Sequence, residues 1–298
     1  MKIVYPDYYK EFKCIKEKCK HNCCIGWEID IDCDTYEYYK KIPGEMGDKL
    51  RAGIEENGEP HFKLTDGERC PFLNKDGLCE IIINLGEDAL CQICSDHPRF
   101  INTFEDREEI GIGMCCEAAS EILLSKKDKT KLISSGEGEE AEKEFFALRE
   151  KLFSILQNRK ESFENRIKSV CNTINKGEFY KKYSCWQKVY KNLERLDRKW
   201  DKYLLCLGET EETEEFDTEF EQIAVYFLYR HLSEAIYDKK YDLRVMFCVL
   251  SVMIIRNIFF NTEKTRENLS EILRMYSSEI EYSEENIKNI LDILEKNI

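Results

Sequence analysis

Eleven of the fifteen cysteines in this 298-residue chain fall at or before position 116: Cys14, Cys19, Cys23, Cys24, Cys33, Cys70, Cys79, Cys91, Cys94, Cys115 and Cys116. The densest stretch, "KCIKEKCKHNCCIGW", has the spacing C-x4-C-x3-C-C. Thiols so clustered point to metal or redox chemistry in a reducing compartment rather than to a disulfide framework. Zinc is one reading: four thiolates, or three with His21, closed by the Cys70 to Cys79 loop. Only Cys91-x2-Cys94 has the usual zinc-knuckle spacing. An iron-sulfur cluster tolerates less regular spacing and suits the surplus of thiols. Successive side chains diverge, so Cys23 and Cys24 are not expected on the same metal atom. The scattered Cys171, Cys185, Cys206 and Cys248 read as small apolar core residues.

Other chemistry is less well signalled. "GIGMCC" and "SGEGEE" contain G-x-G but not the full dinucleotide fingerprint after a strand, and no P-loop is present. The C-x3-C-x2-C triad of radical S-adenosylmethionine chemistry is also missing: after Cys19 and Cys23, its third position is Gly26. With 59 acidic against 45 basic residues, the net charge is -14. No basic stripe offsets it, which disfavours nucleic acid as a partner. The mean hydropathy is -0.54, and the longest apolar run, Val245 to Ile255, suits a core helix better than a membrane span of about 20 residues. "MKIVYPDYYKEF" lacks a secretory h-region, so a cytoplasmic protein without a membrane partner is expected.

The elements that must position these residues divide into two kinds. "WEIDID" alternates apolar and polar residues as a half-buried strand does. "CPFLNKDGLC" sets an Asp76-Gly77 turn between apolar arms, predicting a hairpin or tight loop that joins Cys70 to Cys79. "LGEDALCQICSDHPRF" predicts a short helix stopped by Pro98, which also restricts His97 to extended geometry. The polar stretch 125–144 reads as a linker. Beyond it the periodicity is helical in "LREKLFSILQNRKESFENRI", "WQKVYKNLERLDRKWDKYLLCL" and "QIAVYFLYRHLSEAIYD". "LRVMFCVLSVMIIRNIFF" is apolar on nearly all sides and hence central. The last forty residues read as one or two exposed amphipathic helices. The expected fold is mainly α: a small Cys-rich metal-binding domain with short strands or a hairpin, residues 1–124, followed by an α-helical domain, residues 140–298.

Taken together, "FKCIKEKCKHNCCIGWEIDID", "CPFLNKDGLCEIIINLGEDALCQICSDHPRF", "GMCCEAA" and "LREKLFSILQNR" resemble the flagellin lysine-N-methylase family. The similarity extends into "WQKVYKNLERLDRKWDKYL" and "YFLYRHLSEAIYD", and so covers most of the chain. The resemblance implies transfer of methyl groups from S-adenosylmethionine to lysines of flagellin, with an iron-sulfur cluster of the 4Fe-4S type as cofactor. It implies metal-binding roles for Cys14, Cys19, Cys23, Cys24, Cys70, Cys79, Cys94 and Cys115. Cys33 and Cys91 stand where the family pattern calls for no cysteine, Cys116 replaces a usual proline, and His97 a usual tyrosine.

Methyl transfer needs a neutral amine, whereas a lysine titrates near ~10.4, so a base or desolvation must remove its proton. His231 and Asp238, seven residues apart, are expected on one helical face as base and orienting group, with Tyr229 as a third catalytic candidate. Arg99, Arg149, Arg159 and Arg230 are the candidates for binding the methyl donor. Gln157, Asn158 and Glu234 complete the polar set, whose structural explanation would be buried arginine–carboxylate pairing. The missing triad favours polar over radical transfer. The competing functional reading is a non-catalytic metal-binding or flagellin-binding module; a redox sensor built on Cys23-Cys24 and Cys115-Cys116 is a third.

Overall fold

The computed structural model describes residues 1–137, 142–210 and 213–296. It divides into two compact units, one of residues 13–99 and one of residues 1–12 with 100–298. The expected division between 124 and 140 therefore falls inside the larger unit. Strand pairing is the reason: Lys2–Pro6 lies parallel to Arg107–Ile112 and antiparallel to Leu132–Ser135. The extreme N-terminus and part of the expected linker thus join the helices in one fold. Residues 138–141 of that linker, and 211–212 of the later acidic stretch, lie outside the described residues.

In the larger unit the sheet is completed by Arg99–Thr103, on the outer side of Arg107–Ile112. Alternation along Arg107–Ile112 buries Arg107, Glu109 and Gly111 on one face. Helices supply the rest. Tyr241–Phe260 is buried along nearly its whole length, as its all-round apolarity requires. It is long and apolar enough to cross a membrane, yet 94% of its apolar window is covered by the fold, as in a core helix. Asp217–His231 packs along it.

Two expected helices are interrupted. The stripe through 148–167 is two helices, Lys143–Leu156 and Phe163–Thr173. Ser162 caps the second by accepting a hydrogen bond from the Asn165 amide. The stretch 186–207 likewise splits between Tyr183–Lys191 and Trp200–Leu204. The C-terminal segment is also more deeply buried than expected. Arg266–Tyr276 hides Leu269, Ile272, Leu273, Met275 and Tyr276, then widens into a π-turn, Ser277–Glu281, before Glu284–Lys296.

The small unit is built of short helices, Cys33–Lys41, Gly44–Ala52, Glu80–Leu85 and Gln92–Asp96, around an apolar cluster that includes Tyr39, Phe62, Phe72, Ile81, Cys70 and Cys91. "WEIDID" alternates as expected, with Ile29 and Ile31 buried, although it is tied to the Pro60–Phe62 stretch by only a few backbone bonds. The Cys70 to Cys79 segment is the expected hairpin-like loop. Leu73 pairs with Cys79, the Asn74 amide donates to the Leu78 carbonyl at 2.9 Å, and Gly77 takes the positive φ of +75° that the turn demands.

Candidate functional site

In the small unit the cysteines gather unequally. Cys70 and Cys91 are core residues, and Cys24, Cys79 and Cys94 pack against the same cluster. The Cys70 amide donates to the Cys24 carbonyl at 2.8 Å, holding those two residues side by side. The Cys24 thiol adjoins those of Cys23 and Cys70. Beside it, Cys23 is drawn down to about 7 and Cys70 below its ordinary value, while the Cys24 proton is held more tightly. Cys91 beside Cys94 behaves in the same way. Burial pushes the Cys79 thiol up.

Cys14 is exposed and accepts the Lys16 amide at 3.4 Å, and the Cys19 thiol donates to the His21 carbonyl at 3.2 Å. His97 lies beside Trp27, and burial pushes its imidazole down to about 4. The donors are of the soft type a sulfur-ligated centre needs. They meet in twos: among the described residues, no three His, Cys, Asp or Glu side chains are arranged to hold a single ion.

A second constellation lies in the larger unit, where the π-turn brings Glu281 against the C-terminal half of Asp217–His231. Glu281 is fully buried at its carboxylate. Oε1 receives His231 Nε2 at 2.6 Å and the Tyr226 hydroxyl at 2.9 Å, with Arg230 Nε at 3.5 Å. Tyr226 is saturated: its hydroxyl donates to Glu281 and accepts from Arg230 Nη1 at 2.7 Å and from the Met114 amide at 3.3 Å. Arg230 lies between the rings of Phe100 and Tyr282, at 4.9 and 4.8 Å from their centroids. Tyr282 is the member open to solvent, 46% exposed, and its hydroxyl adjoins the Cys115 thiol.

The electrostatics follow from burial and pairing. Burial alone would raise the Glu281 carboxyl, but the Arg230 charge and the His231 hydrogen bond outweigh it and hold it down at about 2. Burial depresses His231 despite Glu281, so the imidazole is neutral at pH 7 beside an ionised carboxylate. With Glu281 accepting at Nε2, the ring proton belongs on Nε2 and the lone pair on Nδ1. Burial also pushes the Cys115 thiol up to about 12, making it a protonated thiol rather than a nucleophile.

The expected His231–Asp238 pairing is not formed. The helix ends at His231 and the chain passes through a tight turn, so the seven-residue spacing no longer measures one helical face. Asp238 instead takes Arg244 at 2.8 and 3.0 Å and caps the Lys240 amide, while Glu281 occupies the expected place beside His231.

Tyr229 does not join the cluster either. Its hydroxyl lies 3.0 and 3.1 Å from the Val4 and Ile110 carbonyls, pinning the helix to two strands. Arg149 spends its fork on Glu109, which also takes Arg107, and Arg159 spends its own on Glu221, shared with Arg166. These two arginines are thus partners of buried carboxylates, with no fork left for a donor molecule. Gln157 bonds the Thr130 carbonyl. Arg99 is exposed and reaches the Ser95 carbonyl at 3.3 Å. Of the four candidate arginines, Arg230 alone belongs to the cluster around Glu281.

Glu281 and Tyr226 escaped the sequence reading. Tyr226 lies one turn before Arg230, a spacing that would have exposed the pair. Nothing in the acidic run "SSEIEYSEEN" marks one glutamate as buried.

Residues 109–298 match the family model for the FliB lysine N-methylase C-terminal domain. Among curated proteins, the lysine-N-methylases of Salmonella typhimurium and Salmonella choleraesuis are 26% identical to the chain over 134 residues, 42% of this chain and 33% of theirs. The flagellar biosynthetic protein FliU of Salmonella muenchen is 26% identical over 134 residues, 42% of this chain and 79% of its own. The match thus spans about a third of the length of the lysine-N-methylases. No solved structure matches. The family model covers well over half of the chain and includes every residue of the Glu281 cluster except Phe100, and by that match the chain belongs to the FliB lysine N-methylase family.

Proposed function

We propose that the chain is a protein-lysine N-methyltransferase that moves a methyl group from S-adenosylmethionine to lysine side chains of flagellin, working in the cytoplasm. The observation that carries this reading is the match of residues 109–298 to the lysine N-methylase family, with the Glu281 cluster lying within that stretch. In the transfer, the lone pair of the lysine nitrogen attacks the methyl carbon, the carbon–sulfur bond breaks, and its electrons return to sulfur. The nitrogen must therefore have lost one proton beforehand, and the product leaves as a methylammonium cation, which sheds a further proton only if it is methylated again.

The cluster suits that task. Tyr282 and Arg230 already stack as ring over cation, so the solvent-facing ring is a surface that a second cation can engage. Behind it, Glu281 supplies buried negative charge, and neutral His231, held by Glu281, offers an unprotonated nitrogen. His231 and Glu281 are the candidates for proton acceptor and orienting group, and Arg230 for steering the carboxylate of the methyl donor. An iron-sulfur cluster belongs to the proposal too. Bound by thiolates of the small unit, it would supply a rigid tie among its short helices, and an iron with Lewis-acid character.

The test is anaerobically prepared protein incubated with flagellin and isotope-labelled donor. Methyl mass gained on lysine is expected, and lost in His231→Gln while the fold persists. A metal-filled protein that neither binds donor by calorimetry nor adds methyl mass would refute the reading, leaving a metal-binding or flagellin-binding module.

A further inference from the structure

The π-turn that carries Glu281 buries a second carboxylate. Glu279 lies two residues earlier, and its side chain, like that of Glu281, is 0% exposed. Positions two apart on a helical turn do not share a face, so the two carboxylates leave the turn in different directions. Glu281 goes to Arg230 and His231. Glu279 goes to the segment between Tyr183–Lys191 and Trp200–Leu204, where it accepts from the Leu196 amide at 3.2 Å, from the Asp197 amide and from Arg195 Nη1 at 3.2 Å.

A second tie joins the same two stretches of chain. Asn286, also 0% exposed, donates from Nδ2 to the Glu279 carbonyl at 2.7 Å and to the Glu194 carbonyl at 3.0 Å. The Ser283 hydroxyl donates to the Glu194 carboxylate at 3.0 Å. The turn is thus laced to Glu194–Asp197 through both the side chain and the backbone of Glu279.

This lacing falls where the helix departs from its ordinary geometry. The Tyr282 amide reaches back five residues to the Ser277 carbonyl at 3.3 Å, a π register that is rare because α continuation is normally preferred. A return to α geometry would rotate the residues that follow by about 100°, and Glu281 would swing away from His231. A contact that holds the register therefore also holds the aim of Glu281.

We infer that Glu279 and Asn286 are positioning residues for the Glu281–His231 pair: by tying the turn to Glu194–Asp197 they keep the π register that points Glu281 at His231 and Arg230. In giving that pair a task in methyl transfer, this rests on the function proposed above. The competing explanation is a plain staple that adds stability and does not reach His231.

The experiment uses full-length Asn286→Ala and Glu279→Asp, with the His231 titration followed by NMR and the fold checked by thermal unfolding. Neither substitution changes the formal charge, so a moved titration reports geometry. The shorter aspartate keeps the carboxylate but not its reach to the Leu196 and Asp197 amides, and as the milder change it decides the matter if Asn286→Ala does not fold. In both, the His231 midpoint should fall by about 1 pH unit or more, the effect of losing an opposite charge at contact distance. With flagellin and methyl donor, kcat should fall roughly 100-fold for a displacement of about 1 Å, and KM for flagellin should hold. A folded variant that unfolds earlier than wild type yet titrates His231 as wild type does overturns the inference and leaves the staple. A wild type that transfers no methyl group refutes the proposed function, and the titration still decides whether Glu279 and Asn286 aim Glu281.

Discussion

Replacing Glu281 by Gln removes one negative charge from the middle of the larger unit while keeping the shape of the side chain. In the wild type the carboxyl is held at about 2 against an ordinary 4.5. A depressed carboxyl contributes stability that is present above its unfolded value and lost as pH falls toward its folded one. The difference of about 2.5 units corresponds to about 3 kcal/mol, of which about 2 kcal/mol is gone by pH 3. In Glu281→Gln, the Arg230 guanidinium stays where it is, only 10% exposed at its side chain, with no carboxylate beside it. Breaking a buried pair in this way costs about 3 to 5 kcal/mol at neutral pH.

The assay is urea unfolding of both proteins at a series of pH values from 7 to 3, compared as a difference so that the other carboxyls cancel. The variant should be the less stable at pH 7, and the gap should narrow by about 2 kcal/mol on reaching pH 3. Neutralising the wild-type carboxylate with acid then does what the substitution did. A gap that stays constant across this range, with the His231 titration the same in both proteins, would show that Glu281 is not charged in the native state, and with it the view of Arg230 and His231 as groups organised by that charge would fail.

Three further outcomes follow from neighbouring contacts. Asp238→Asn should shift the titration of His231, followed by NMR, only slightly and through Arg244, which Asp238 pairs, whereas Glu281→Gln should lower it much further by removing the group that opposes burial. Gly111→Ala should destabilise by roughly 1 to 3 kcal/mol in thermal unfolding, since a Cβ there would lie 2.3 Å from the Phe100 ring that backs Arg230. Tyr229→Phe should cost about 1 kcal/mol in the same assay, reporting the lost bond to the Val4 and Ile110 carbonyls, and should leave donor binding intact.

The parts of the structure legible in the sequence are those whose cause lies within a few residues. The alternation of Ile29 and Ile31, the turn at Gly77 that closes the Cys70 to Cys79 loop, and the all-round burial of Tyr241–Phe260 each express a local period or a backbone requirement. The break between Lys143–Leu156 and Phe163–Thr173 was also written locally, in the capping Ser162, but an apolar stripe that runs through a break looks continuous. Arg149 and Arg159 did pair with buried carboxylates, yet the identity of Glu109 and Glu221 depended on strands and helices 40 and 62 residues away.

Glu281 shows why such partners resist a linear reading. A glutamate in an acidic run is ordinarily a solvated surface charge, because burying it alone is prohibitive. Its burial becomes affordable only where Arg230 and His231, about fifty residues earlier, arrive with a cation and a hydrogen-bond donor. The π-turn that aims it inward is invisible to a 3.6-residue pattern, since its i to i+5 bond from Tyr282 to Ser277 shifts the register of everything after it. The His231–Asp238 pairing failed for the same reason in reverse: a spacing that is correct for a helix has no meaning once the helix has ended. The residues most eligible for chemistry in this chain are therefore those whose charge makes sense only in three dimensions, and a carboxylate held at about 2 beside a neutral imidazole is a stronger pointer to a site than any interval between two letters.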